Sequence, residues 1–242
     1  MRMILAATLA IAPLAIVPLL AKDNDSVKRL NEAAVVFSEV MATPDKGIPE
    51  DLLANARCIV IVPSLKTAAF VVGGKYGKGY VSCRHDGSWS APGAVRVEGG
   101  SFGFQIGGST TDVIMLVMNE GGENRLLSDK FTLGGEASVA AGPVGRTATA
   151  QTDLQMHAEI LSWSRSQGLF AGLALEGATL REDLDDNAAL YGKKLENREI
   201  LTKPMHTPRA AAKLIAELNR HPARKHASAS TGASQSSGEK GT

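Results

Sequence analysis

Gly99-Gly100-Ser101-Phe102-Gly103 matches G-x-S-x-G, the pattern in which a serine on a sharp strand-to-helix turn acts as a nucleophile, and Asp112, Asp153 and His157 are the residues that could complete a triad. That chemistry needs a helix directly after the serine. A glycine-rich run of alternating apolar residues follows instead, so Ser101 is expected to be a small strand residue. The segment Gly73 to Gly79 approaches a phosphate loop, but it is one residue short between its outer glycines, and no Ser or Thr follows the lysine. Asp183, Asp185 and Asn187 open like a calcium loop, yet Ala188 stands where a glycine is required and Lys194 where the bidentate acid belongs, so helix-capping acids are the better reading. The five histidines show no paired metal spacing, and Trp89 and Trp163 read as packing residues. No enzyme activity, cofactor or metal is therefore expected.

Charge offers a different chemistry. Leu52 to His85 contains no acidic residue, while Arg57, Lys66, Lys75, Lys78 and Arg84 carry five positive charges. Lys75-Tyr76-Gly77-Lys78 reads as a hairpin tip with two flanking lysines. Lys66, Lys75, Lys78 and Arg84 are thus the candidate contacts for an anionic headgroup, with a solvated face as the plainer alternative. The chain has 26 Lys+Arg against 25 Asp+Glu. Loss of an N-terminal leader carrying only Arg2 makes it formally neutral, which argues against nucleic-acid binding by bulk charge.

The elements that must carry these residues centre on Glu98 to Asn119. Phe102, Phe104 and Ile106 share one face of a strand, and Ser101, Gly103, Gln105 and Gly107 fall on the other, so another piece of backbone should pack against the glycine face. After Gly107-Gly108, Val113 to Met118 is apolar nearly throughout, as in a strand covered on both faces. These two runs read as a pair at the centre of an antiparallel sheet. Further strands are expected at 58–62, 68–74, 79–84, 94–97, 130–135, 137–141 and 146–150. A second hairpin joins Ile160–Ser164 to Leu169–Leu175.

Before the sheet, Ser26 reads as a helix N-cap. Val27, Leu30, Ala34, Phe37 and Met41 recur on one helical face, which can either dock on the sheet or insert into lipid. Residues 1–21 have the layout of a secretory signal peptide, with cleavage after Ala21 or retention as an anchor. Export makes Cys58 and Cys83 candidates for a disulfide, the alternative being two small buried residues. Helices are also expected at 50–56, within 120–129, at 181–191 and at 209–219, and residues 223–242 form a polar tail.

The strings KTAAFVVGGKYGKGYVSC, WSAPGAVRVEGGSFGFQIGGSTTDVIMLVMN, KFTLGGEASVAAGPVGR and AEILSWSRSQGLFAGLALEGATL closely resemble the SYLF domain, known from eukaryotic actin-bundling proteins. The resemblance covers roughly Asp25 to Leu195. It implies a non-enzymatic lipid-binding module, phosphoinositide-binding in eukaryotic members, helped by an N-terminal amphipathic helix that corresponds here to Asp25–Met41. For an exported copy, peripheral on a membrane, anionic lipids are the expected partners and actin is not. The expected fold is α+β, with N-terminal helices on a Gly-rich antiparallel sheet curling into a barrel or sandwich. Its expected divisions are 1–21 signal, 22–202 domain, 203–222 C-terminal helix and 223–242 tail.

Overall fold

The structure, a computed structural model, describes residues 17–43, 47–144, 157–166, 169–172 and 175–223, without the side chains of 17–24, 69–72, 101–107, 170 and 172. It is a mixed α+β fold in which an eight-stranded sheet curls into a half-barrel, with helices on its convex face. Helix α1 (Val17–Met41) and α2 (Glu50–Asn55) lead into two very long strands, β1 (Cys58–His85) and β3 (Gly93–Val117), with the short β2 (Ser88–Trp89) between them. Then come α3 (Glu120–Leu126), β4 (Lys130–Thr132), β5 (Val139–Ala141), β6 (Ile160–Ser166), β7 (Leu169–Gly172) and β8 (Thr179–Glu182). Helix α4 (Leu184–Tyr191), α5 (Asn197–Thr202), a 3-10 turn at Arg209–Ala211 and α6 (Ala212–Asn219) close the described chain.

Strand β3 is the centre of the sheet, but as one continuous strand and not as the expected pair. It runs antiparallel to β1 from Cys58↔Val117 to Val81↔Gly93. Its other edge carries β8 at Val95–Glu98 and β6 at Asp112–Val117. The breaks read at Pro63 and Gly107-Gly108 are absorbed by register shifts between Val62 and Leu65 and between Ala69 and Val71. A bulge lets a strand bend without ending, and Ser64 takes a positive φ of 55° there. The 75–78 hairpin tip is likewise strand interior, since Lys75 pairs with Gly99 and Lys78 with Arg96. The turn lies instead at Asp86-Gly87, whose φ values of 50° and 86° suit a two-residue hairpin closed by His85↔Ser88. The β6–β7 hairpin is present, but β6 runs on past Ser164 to Ser166, which pairs with Leu169, and the described β7 ends at Gly172 and not at Leu175. Strand β5 joins β6 in parallel, so the sheet is not wholly antiparallel. The strand expected at 146–150 lies outside the described residues.

Alternation divides the sheet between two cores. Ile59, Ile61, Tyr80, Ile114, Leu116, Leu161 and Trp163 face the helices, against Leu30, Ala34 and Phe37 of α1 and Leu214, Ile215 and Leu218 of the C-terminal helix. Cys58, Val60, Val62, Val81, Val95, Val113, Met115 and Val117 face the hollow of the curl, with Phe131, Leu133 and Leu180. This is the two-sided burial expected of Val113 to Met118, although Met118 itself is only half-buried.

The β1–β3 ribbon curls until β1 meets its own start. A straight strand would separate Cys58 and Cys83 by about 80 Å at roughly 3.3 Å per residue. Their Cα atoms are 3.9 Å apart and the two are disulfide-bonded. Arg84 N–H donates to Arg57 C=O at 2.7 Å at the same crossing. Gly79 makes this approach possible: a Cβ there would overlap the Ile61 carbonyl oxygen and sit 2.8 Å from Val62 Cα. Backbone thus packs directly against a strand glycine at Gly79, and at Gly77 a Cβ would meet the Val62 and Leu65 side chains, while the surroundings of Gly103 and Gly107, where the sequence predicts such packing, lie outside the described side chains.

Ser26 is not an N-cap, because α1 already runs from Val17. Ser26 is buried, and its carbonyl accepts the Tyr80 hydroxyl at 2.9 Å. Among the described residues no helix is long and apolar enough to cross a membrane.

Candidate functional site

Register brings together four cations that are remote in sequence. Lys130 pairs with Arg181, Arg181 with Arg96, and Arg96 with Lys78, across β4, β8, β3 and β1. Directly paired residues share a face, and here it is the convex face, because the flanking Val95, Val97, Leu180 and Phe131 all point into the curl. Like charges placed opposite one another repel, so the row needs anions to persist. Glu98 supplies one, 2.7 Å from Arg96 Nε and 3.7 Å from Arg181 Nη1.

At the inner end, Lys78 Nζ lies 2.7 Å from Asp183 and 3.0 Å from Asp186, and Asp186 also holds Arg29 of α1 at 2.6 Å. Burial alone would depress the Lys78 ammonium, but the two carboxylates outweigh it and hold its pKa above the usual lysine value. Burial would likewise raise Asp183, yet Lys78, the Asp186 N–H and Arg96 hold it below the usual carboxylate range. Burial pushes the neighbouring Tyr80 phenol up to about 12. Asp183 also caps α4 by accepting the Asp186 N–H at 3.1 Å, the capping role expected for these acids.

The outer end differs. Lys130 is exposed and, among the described residues, has no carboxylate within ion-pair distance, while Arg181 keeps 41% of its side chain in solvent. These two residues, with Thr132, Thr179 and the carboxylates Glu98 and Glu136, line a shallow cleft of about 420 Å³. The row thus grades from an internal ion network to an accessible lip at which Lys130 and Arg181 stand beside Glu98 and Glu136.

The four basic residues singled out from the sequence fare unequally. Lys66 is exposed and Lys75 half-buried on β1. Lys78 is held by Asp183 and Asp186, not on a hairpin tip. Arg84 stacks over Trp89 at 4.0 Å and donates to His221 C=O at 2.9 Å, with burial lowering its pKa. The helix stripe is divided too: Leu30 and Phe37 are buried in the core, Met41 is half-buried, and Val27 is 39% exposed. In the docked position of α1, then, Leu30 and Phe37 do not face lipid, and it is Val27 and Val35 that reach the surface.

Ser101 sits within β3 opposite Gly73, with no strand-to-helix turn. Asp112 is engaged by Arg165 at 2.7 Å, and Asp153 lies outside the described residues. Cys58, Cys83 and Glu123 cluster closely enough for a metal, but sulfurs bonded to each other offer no thiolate.

The family model described as Ysc84, Las17-binding protein actin regulator, matches residues 98–221. An SH3 domain-containing protein of Schizosaccharomyces pombe is 38% identical over 176 residues, 71% of this chain and 41% of that protein. The human SH3 domain-containing YSC84-like protein 1 is 37% identical over 179 residues, 72% of this chain and 52% of its own length. Protein YSC84 of Saccharomyces cerevisiae is 35% identical over 176 residues, covering 71% and 37% respectively. The chain therefore spans about half or less of the relatives it matches.

Proposed function

The chain belongs to the Ysc84/SYLF family, and on that premise we propose that it is an exported, non-enzymatic lipid-binding module that meets anionic headgroups at a membrane surface. The supporting observation is the accessible lip on the convex sheet face, where Lys130 has no carboxylate within ion-pair distance among the described residues and Arg181 is partly exposed. Each basic residue near an anionic surface contributes about 1 kcal/mol, screened by salt. Export follows the layout of residues 1–21, and cleavage after Ala21 would leave the contacts of α1 from Ser26 onward intact.

Co-sedimentation of the mature protein with phosphatidylglycerol-containing vesicles tests this reading. Lys130→Ala with Arg181→Ala should weaken binding by about 30-fold, since about 2 kcal/mol is lost. Arg224→Ala with Lys225→Ala in the tail should change little, and Lys66→Ala with Lys75→Ala reports on the accessible lysines of β1. Equal binding by the lip and tail pairs would remove the lip from the mechanism. A second reading, a protein-interaction component of the cell envelope, is favoured by a family description that names a protein ligand. It takes over if wild type binds neither anionic nor neutral vesicles.

A further inference from the structure

Beside the row of cations lies a second rung of opposite character. Thr132 pairs with Thr179 and Thr179 with Glu98, so these three share the convex face with Lys130, Arg181 and Arg96, two residues away along each strand. At roughly 3.3 Å per residue the two rungs stand about 7 Å apart. Glu136 joins the second rung, because its N–H donates to the Thr132 C=O at 2.9 Å and its carboxylate accepts the Thr132 N–H at 2.8 Å. The cleft of about 420 Å³ therefore has an ammonium and a guanidinium along one side, and two carboxylates flanking two threonines along the other.

Charge pairing across this cleft is incomplete. Glu98 is already shared, at 2.7 Å from Arg96 and 3.7 Å from Arg181. Lys130 and Glu136 are both exposed, and among the described residues neither has an opposite charge within ion-pair distance, although they line the same cleft. A cation and an anion that leave each other unpaired make a dipolar site. Two cations against two carboxylates also leave the lining formally neutral, so a purely anionic ligand meets the charge of Glu136 along with that of Lys130. A ligand carrying both charges, one toward each rung, finds a partner for each. The volume is within the range of small-molecule sites.

The chemistry of each end is specified as well. Lys130 and Arg181 supply the N–H donors that a phosphodiester accepts. A quaternary ammonium has no N–H and is recognised by aromatic faces, but the aromatic ring at this cleft, Phe131, points into the curl. A primary ammonium has three donors, for which the Glu136 carboxylate and the Thr132 hydroxyl are acceptors. We propose that the cleft takes a phosphoethanolamine headgroup, with its phosphate at Lys130 and Arg181 and its ammonium at Glu136. This rests on the lipid-binding reading and deepens it, adding to the attraction of an anionic surface a preference for one zwitterionic lipid. The same group also occurs free, as glycerophosphoethanolamine.

The test is co-sedimentation of the mature protein with two vesicle sets of equal phosphatidylglycerol content, one completed with phosphatidylcholine and the other with phosphatidylethanolamine. Wild type should bind the ethanolamine set about three- to fivefold more tightly, the size of one exposed ion pair. Glu136→Gln, whose amide oxygen can still accept the Thr132 N–H, should melt with wild type and lose this preference. It should also bind the choline set more tightly than wild type does, because a repelling carboxylate is gone. Lys130→Ala should weaken binding to both sets. Equal binding of the two sets by wild type, or a preference that survives Glu136→Gln, overturns the proposal while leaving the anionic-surface reading in place. A preference for ethanolamine vesicles with no gain from phosphatidylglycerol keeps the cleft and defeats the anionic-surface reading, and no binding to any vesicle defeats both. Soluble glycerophosphoethanolamine separates the sources: displacement by it and not by glycerophosphocholine shows that the free group suffices, displacement by neither assigns the headgroup as displayed on a membrane, and equal displacement by both overturns the assignment to a primary ammonium.

Discussion

Replacing Lys78 by methionine keeps a similar stem and removes the ammonium that Asp183 and Asp186 share. Asp183 is 1% exposed and Asp186 3% exposed, so neither can turn to water. Asp186 retains Arg29 at 2.6 Å, whereas Asp183 is left with Arg96 at 3.9 Å. Breaking a buried pair from one side costs about 3–5 kcal/mol. The Lys78 side chain keeps 21% exposure and Arg96 still screens Asp183, which places this case at the low end, about 3 kcal/mol. For a chain of this size each kcal/mol moves the melting temperature by roughly 2–4 °C, so a fall of about 6–12 °C is expected at pH 7.

The pH dependence carries a sign. Asp183 is held below its ordinary value, so its contribution is complete above the unfolded-chain value of about 3.9 and disappears as pH falls through the folded value. Lys78 is held above its ordinary value, so its contribution is complete below about 10.4 and is lost as pH rises through the folded value. The gap between wild type and Lys78→Met should therefore be wide at neutral pH and narrow once Asp183 can protonate. Adding Asp183→Asn, which still caps α4, should recover part of the loss. Urea denaturation with Lys75→Met as the control decides it. A Lys78→Met protein within about 0.5 kcal/mol of wild type at pH 7 would refute the network. If the network holds, weaker vesicle binding by Lys78→Glu would report a damaged fold and not a lost headgroup contact.

Removing the Cys58–Cys83 bond, which closes 25 residues, should cost about 3.5 kcal/mol by loop-closure arithmetic; the check is denaturation with and without reductant, and two freely alkylated thiols in unreduced exported protein would rule the bond out. Gly79→Val should lower stability by about 3 kcal/mol or more, because the new side chain meets the Ile61 backbone and not a side chain that can turn away; Gly87→Ala, with open space around the position, should cost about 1 kcal/mol through its φ of 86°. Short-chain ester turnover should be absent, and activity that vanishes with Ser101→Ala would restore the hydrolase reading.

What the sequence revealed was local, and what it concealed was set by register. The apolar, β-branched run at Cys58–Val62 and the continuous apolar run at Val113–Val117 could be read directly, because two-sided burial removes the polar face of a strand. Pro63 and Gly107-Gly108 read as breaks because a breaker and a bulge have the same composition; only the pairing partner shows that the strand continues. Asp86-Gly87 carried a genuine turn signal that the more conspicuous Lys-Tyr-Gly-Lys segment obscured. The stripe of α1 was legible as amphipathic, but periodicity cannot say whether Leu30 and Phe37 meet a sheet or a bilayer. The Lys130–Arg181–Arg96–Lys78 row left no trace, since nothing along the chain relates positions 78, 96, 130 and 181.

The meeting of the two ends of β1 also has a mechanical consequence. In the oxidised protein, the chain between Cys58 and Cys83 is a covalent ring, so a force applied at the termini bypasses it. Fully stretched, the oxidised molecule would be shorter than the reduced one by about 80–90 Å, at roughly 3.3–3.6 Å per residue. The ring contains Gly77, Gly79 and Tyr80, so the strand segment that anchors α1 through Ser26 would never bear the load directly. A pull that strips away α1 and the C-terminal helix would leave that segment looped and close to its starting partners, poised to recoil when the tension is released.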